Sequence, residues 1–139
     1  MTRLTLPLLT LAAALAAPAA QAGRCAALDV DGVRPAAGTL YVAAYASEAD
    51  FARKPVAAVA VAAGSAPRQT VNLCDLPADG PLAFLLYQDL DGDSRMGRNA
   101  MGMPTEPWGS SGASAAFGPS WAKAQVQVGD APVTVVMSQ

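Results

Sequence analysis

The sequence predicts an all-β protein, a seven-stranded β-sandwich of the immunoglobulin-like or transthyretin-like type with one long acidic, Gly/Pro-rich loop. Apolar residues occur in short runs, and in several of them they alternate with polar residues, as Leu28 and Val30 do with Asp29 and Asp31. Turn residues separate the runs. Seven short runs in about 115 residues fit two packed antiparallel sheets.

The expected strands follow from these runs. They cover residues 27–33, 39–46, 56–62, 69–73, 82–87, 121–128 and 132–137. The last two should form a hairpin, because Gly129 and Asp130 mark a turn between them. Ser47 precedes Asp50 by three residues, so we expect one helical turn within 47–55. Because alanine favours helix, a helix over 56–63 is the main alternative to the third strand.

Residues 1–22 are predicted to form a secretory signal peptide. Arg3 is followed by an apolar run from Leu4 to Ala17 and by the small-x-small sequence Ala20-Gln21-Ala22. The run is shorter than the roughly 20 apolar residues that a bilayer crossing needs. We therefore expect cleavage near Ala22, one mature domain over 23–139 without a transmembrane segment, and a periplasmic or secreted location.

Charge and residue counts narrow the function classes. The net charge of −2 becomes −3 when Arg3 is removed, and no basic cluster is present, so nucleic acid is not an expected partner. The chain has no histidine, which rules out Ser-His-Asp and Cys-His catalysis and most zinc sites. Export favours a disulfide between Cys25 and Cys74, with two unpaired buried thiols as the alternative.

The segment from Asp89 to Gly112 carries the candidate metal site. Asp89, Asp91 and Asp93 place carboxylates at every second residue, as in the first half of a calcium-binding loop. Ser94 stands where such loops have glycine, and Ala100 where they have a bidentate glutamate. We therefore expect weak calcium binding unless Glu106 or Asn99 folds back to complete the site. The alternatives are a solvated turn held by Asx hydrogen bonds, or neutralisation of the aspartates by Arg95 and Arg98.

The remaining loop residues each allow two interpretations. We expect Glu106 to accept hydrogen bonds from loop amides and lock the loop, with metal ligand or general acid as alternatives. Gly109 is expected to permit a turn. Three methionines should fill gaps under the loop, with copper(I) binding as the alternative: Met96, Met101 and Met103. Three aromatic residues should serve in the core or as staples rather than line a ligand groove: Trp108, Phe117 and Trp121.

Three motifs carry a resemblance to a known family. They are Leu85-Leu86-Tyr87-Gln88-Asp89 with DGDSRMG, the segment Gly102 to Ser110 (GMPTEPWGS), and the segment Gly118 to Ala124 (GPSWAKA). In order and spacing they resemble the bacterial exported family of unknown function numbered 2141. The resemblance implies a small secreted or periplasmic β-sandwich and no particular activity. The chain departs from the family pattern at Gln88, where histidine is usual, at Ser94, where glycine is usual, and at Gly97, where a carboxylate is usual.

We therefore expect a non-catalytic exported module that binds an unidentified protein or glycan partner, with calcium as the candidate ion that organises its loop. Two alternatives remain. One is an assembly protein that pairs an exposed edge strand with another chain, and residues 56–62 carry no charge. The other is a glycan-active enzyme with two carboxylates about 5 to 10 Å apart across a cleft.

Overall fold

The computed structural model describes residues 23–112 and 118–138. Within these ranges the chain forms eight strands and one four-residue helix. In order they are β1 (Arg24–Asp31), β2 (Thr39–Tyr45), β3 (Ala57–Ala62), β4 (Arg68–Leu76), β5 (Leu82–Asp89), β6 (Trp108–Ser110), α1 (Trp121–Ala124), β7 (Gln125–Val126) and β8 (Val133–Val136). The expected signal peptide and Phe117 lie outside the described residues.

The strands form two sheets packed as a sandwich. One sheet has the order β4-β1-β8, and the other has the order β3-β2-β5-β6, with β7 pairing to the beginning of β5. Every pairing is antiparallel except β1 with β8, which run parallel. The prediction of an all-β, two-sheet protein is confirmed. The described residues contain eight strands rather than seven, and the immunoglobulin-like or transthyretin-like type stays a prediction.

Alternation of apolar and polar residues builds a core shared by the two sheets. Inward positions of β1 and β2, such as Leu28, Val30, Leu40 and Val42, are almost completely buried. The fifth predicted strand, a continuous apolar run, becomes central β5, whose Phe84 is fully buried. The outward residues of the same run, Leu85 and Tyr87, remain half-buried on the outer face of the larger sheet, so the run is apolar on both faces without being covered on both.

The predicted C-terminal hairpin is wrong. Residues 121–124 form a helical turn, β7 joins β5 in the larger sheet, and β8 crosses to the other sheet beside β1. The Trp-Ala-Lys-Ala sequence follows Gly118-Pro119-Ser120, so local helix propensity outweighs the apparent alternation. The third strand is confirmed as β3, against the helical alternative.

Residues 47–55 form successive turns rather than an assigned helix. Ser47 Oγ nevertheless accepts a hydrogen bond from the Asp50 amide at 3.2 Å, as expected of an N-cap. The amides of Arg53 and Lys54 both bond to the Asp50 carbonyl. The segment therefore makes local cap contacts without continuing into a helix.

The expected disulfide is confirmed, since Cys25 and Cys74 are bonded and join β1 to β4. A crosslink that closes a loop of this size removes conformational freedom from the unfolded chain. None of the helices in the described ranges is long and apolar enough to cross a bilayer.

Two contacts fix the position where the acidic loop leaves β5. The buried Gln88 side chain accepts a hydrogen bond from the Arg34 amide at 2.8 Å and donates to the carbonyls of Arg34 and Ala37. Gly38 has φ of +64°, and a Cβ there would lie 1.8 Å from the Asp89 carbonyl oxygen. The turn between β1 and β2 therefore packs directly against the end of β5.

Candidate functional site

The acidic loop, residues 90–107, connects neighbouring antiparallel strands β5 and β6. Its ends are held together by the hydrogen bond from the Gln88 amide to the Pro107 carbonyl, at 2.9 Å. Beyond it, Ser138 donates from both its amide and its hydroxyl to the Trp108 carbonyl, so β6 is tied to the end of the opposite sheet. The loop therefore projects from a rigid base at one end of the larger sheet.

Asp89 organises the first half of the loop. The residue is 2% exposed, and its two oxygens accept hydrogen bonds from the amides of Gly92 (2.7 Å) and Ser94 (2.8 Å). Desolvation raises the pKa of Asp89, but these amide bonds outweigh it and hold the pKa below its usual value. Ser94 has φ of +61°, so it adopts the left-handed conformation for which glycine was expected.

Glu106 locks the loop, as the sequence predicted. The residue is 8% exposed, and its Oε1 accepts the Leu90 amide at 2.8 Å while Oε2 accepts the Gly97 amide at 2.9 Å. A Cβ at Gly97 would lie 2.6 Å from Thr105 Oγ1, so a larger residue could not sit there without a shift. One carboxylate thus joins the start, the middle and the end of the loop.

Three of the five predicted metal ligands come together. Carboxylate oxygens of Asp89, Asp91 and Glu106 lie within 4.8 Å of one another. The Asp93 amide lowers the pKa of Asp91, but desolvation and repulsion from Asp93 and Glu106 raise it above its usual value. The three carboxylates therefore form a cluster of negative charge in which the ionised form of Asp91 is disfavoured.

The other two predicted ligands have different contacts. Asp93 Oδ1 accepts the Arg95 amide at 2.7 Å, and Asn99 Oδ1 accepts the amides of Met101 (2.9 Å) and Met103 (3.0 Å). Among the carboxylates of the described residues, Asp93 is not part of the converging group. The Asx hydrogen bonds of the alternative interpretation are thus present beside the cluster, including the one from the Asp93 amide to Asp91 Oδ1.

Neither loop arginine, Arg95 or Arg98, forms an ion pair with a carboxylate of the described residues. Across 23–112 and 118–138, the ion pair found within 4 Å is Arg68 with Asp31, far from this loop. Arg98 instead donates to the Gly102 carbonyl at 2.8 Å, and its backbone pairs with Pro104. The converging carboxylates therefore have no cationic side chain bonded to them in the described part of the chain.

Two interpretations of other loop residues are wrong. Met101 and Met103 are 83% and 58% exposed, so they do not fill gaps under the loop. Gly109 lies in extended β6 rather than in a turn, and glycine is needed because a Cβ there would lie 2.8 Å from the Val136 carbonyl oxygen. The predicted staple role of Trp121 is confirmed, because its ring packs edge-on against that of Phe51 with the ring centroids 6.1 Å apart.

Sequence reasoning did not link the loop to the sheet surface. Tyr41 and Tyr87 are paired neighbours on β2 and β5, and their rings stack with centroids 5.1 Å apart. The Tyr41 hydroxyl lies 2.9 Å from Ser94 Oγ in the loop. Matching alternation on two strands could have placed both tyrosines on one face, but their register required the structure.

These features define a two-sheet β-sandwich with a carboxylate-locked acidic loop. The chain belongs to the family described as "Uncharacterized protein conserved in bacteria (DUF2141)", whose model matches residues 28–136. The family resemblance seen in the sequence is thereby confirmed. Comparison with curated proteins and with solved structures gives no match.

The opposite pKa shifts of two neighbouring aspartates predict opposite effects of removing their charge. At pH 7 and without metal, Asp89→Asn should lower the melting temperature by several degrees, whereas Asp91→Asn should leave it unchanged or raise it slightly. Asp89 stabilises the folded state above its unfolded pKa of about 4 and loses that contribution as pH falls through its lower folded pKa. Ionisation of Asp91 instead destabilises the folded state, because its folded pKa is raised. This destabilisation disappears below about pH 4, where the side chain is protonated in both states.

Thermal unfolding of both variants from pH 7 down to pH 3 measures this difference. The gap between their melting temperatures should narrow as the pH falls. Equal destabilisation by both substitutions at pH 7 would show that the two ionised aspartates do not have opposite effects on stability.

Proposed function

We propose that this protein is an exported, non-catalytic binding module whose acidic loop is organised by calcium. The observation that carries the proposal is the convergence of Asp89, Asp91 and Glu106 oxygens within 4.8 Å. Calcium takes six to eight oxygen ligands in flexible geometry, with waters completing the shell. Three carboxylates of this kind are the donor set that a hard cation prefers.

The hydrogen bonds already made by these carboxylates are compatible with a cation. Each oxygen of Asp89 and Glu106 accepts one loop amide, and a carboxylate oxygen has a second lone-pair direction left. Amide bonds fix the oxygens before a cation arrives, which reduces the ordering cost of binding. Repulsion around Asp91 supplies a reason for the cluster to favour a positive charge.

Export and the absence of catalysis rest on separate support. The Cys25–Cys74 disulfide suits an oxidising compartment, and the apolar run of residues 4–17 suits a signal peptide. The acidic-loop carboxylates converge on one point and bond to their own loop, whereas a glycosidase needs two carboxylates on opposite sides of a bound sugar. We therefore favour a binding role over glycan hydrolysis.

Calcium should raise the melting temperature of the exported protein in a saturable way. Ligands that bind the folded state alone stabilise it by RT ln(1 + [L]/Kd), about 2.7 kcal/mol at one hundred times Kd. With three carboxylates we expect half-saturation at about 0.1 to 1 mM calcium, in the range of extracellular calcium modules. Magnesium, which demands stricter octahedral geometry, should give a smaller shift.

Asp91→Asn is the test variant and Asp93→Asn its matched control, since both side chains are exposed and each accepts one amide bond two residues on. The calcium shift should fall strongly in the first and persist in the second. Mass spectrometry of the same sample reports removal of residues 1–22 and formation of the disulfide. The metal site would be refuted if millimolar calcium left the melting temperature unchanged, or if calcium raised the melting temperatures of the two variants equally.

A second candidate function is assembly through β3. This strand lies at the edge of the larger sheet and consists of uncharged alanines and valines, without the lysine or proline that usually blocks edge pairing. Pairing through β3 predicts a concentration-dependent dimer in analytical ultracentrifugation that Ala58→Lys abolishes. A monomer at all concentrations up to about 100 µM, well above a micromolar Kd, would remove this candidate.

A further inference from the structure

The outer face of the larger sheet carries a groove beside the acidic loop. Its volume is about 520 Å³, within the range of about 300 to 1,000 Å³ usual for small-molecule sites. The floor is formed by β2, β3 and β5, the acidic loop borders one end, and Ala52 of the 47–55 turn lies at the rim. The residues that matter most are Tyr41, Tyr87, Ala58, Ala60, Met96 and Arg98.

The two tyrosines leave one aromatic face available to a ligand. Their rings are nearly parallel, 10° apart, so one face of Tyr41 is covered by Tyr87 on β5. The opposite face is turned toward β3, on the other side of β2, where Ala60 is the residue paired with Tyr41. Because alanine is small, a slot remains beside the ring that accepts a flat apolar group by stacking.

The groove carries positive charge from an arginine. Within the described part of the chain, Arg98 is the charged residue that lines it, and none of the loop carboxylates does. One guanidinium nitrogen bonds to the Gly102 carbonyl, and no carboxylate lies within 4 Å of the group among the described residues. Guanidinium has five N–H donors, so others remain for an anionic group.

We propose that this groove binds a planar, apolar small molecule that carries one anionic group, such as an aromatic carboxylate or sulfonate. The flat body stacks on Tyr41 over Ala58 and Ala60, and the anion contacts Arg98. The inference deepens the binding-module part of the proposed function and does not depend on calcium. The acidic loop contributes Met96 and Arg98, and the Tyr41 contact with Ser94 fixes it against the floor.

Two fluorescent probes separate the apolar and the anionic requirements. Anilinonaphthalene sulfonate has a flat aromatic body with one sulfonate, and phenylnaphthylamine is the same body without the charge. The wild-type exported protein should bind both saturably at one site, the sulfonate more tightly. Arg98→Gln should weaken sulfonate binding about fivefold and leave the neutral probe within about twofold.

Blocking the slot should act on both probes. Ala60→Leu places a larger side chain beside Tyr41 and should weaken both probes about tenfold. The controls are Ala62→Leu, also exposed on β3, and Arg95→Gln, an exposed arginine of the same loop; neither lines the groove, and neither should change binding. Melting temperatures establish that each variant is folded, and Arg98→Gln tests the proposal alone if Ala60→Leu does not fold.

Any other pattern overturns the proposal. The proposal is contradicted if neither probe binds saturably, or if Arg98→Gln weakens both probes equally. It is also contradicted if folded Ala60→Leu keeps the wild-type affinity, or if the control variants weaken binding as much as Ala60→Leu and Arg98→Gln do. All titrations are run with a chelator and with calcium. Failure of the calcium site then appears as an unchanged melting temperature, and failure of the groove appears in the probe affinities.

Discussion

The structure of the acidic loop depends on two buried carboxylates that accept backbone amides. Glu106 takes the amides of Leu90 and Gly97, and Asp89 takes those of Gly92 and Ser94. An irregular loop of this length has backbone donors that no strand partner satisfies, and buried carboxylates without donors cost free energy. The two side chains supply acceptors for those donors from both ends of the loop. The same requirement brings their negative charges close together, which creates the candidate cation site.

The loop and the sheet face form one connected surface. Ser94, held in a left-handed conformation by its amide bond to Asp89, presents its hydroxyl to Tyr41. Tyr41 is the floor of the groove, and Arg98 of the same loop lines its rim. A cation bound at the carboxylates would therefore stiffen one wall of the groove without contacting a ligand there. Loops positioned by a rigid scaffold are a common place for binding sites.

Local sequence signals predicted the fold well and the site in part. Alternation and turn residues identified the first five strands, and the spacing of Asp89 and Asp91 with the later Glu106 indicated the cluster. The hairpin at the C-terminus failed because alternation in 121–128 does not say which sheet a strand joins. Strand β6 has only three residues, too few for a periodic signal. Which oxygens converge, and that Asn99 and Arg98 turn to loop backbone instead, depends on the path of the loop in space.

The most direct test of the account is amide hydrogen exchange of the metal-free protein at Leu90, Gly92, Ser94 and Gly97. Carboxylate bonds that persist in solution should slow exchange of these four amides by at least about 100-fold relative to unstructured chain, although they lie in a loop. Exchange at the unprotected rate would mean that the carboxylates do not hold the loop. The proposed cation site and the proposed binding groove would then both lose the fixed loop on which they depend.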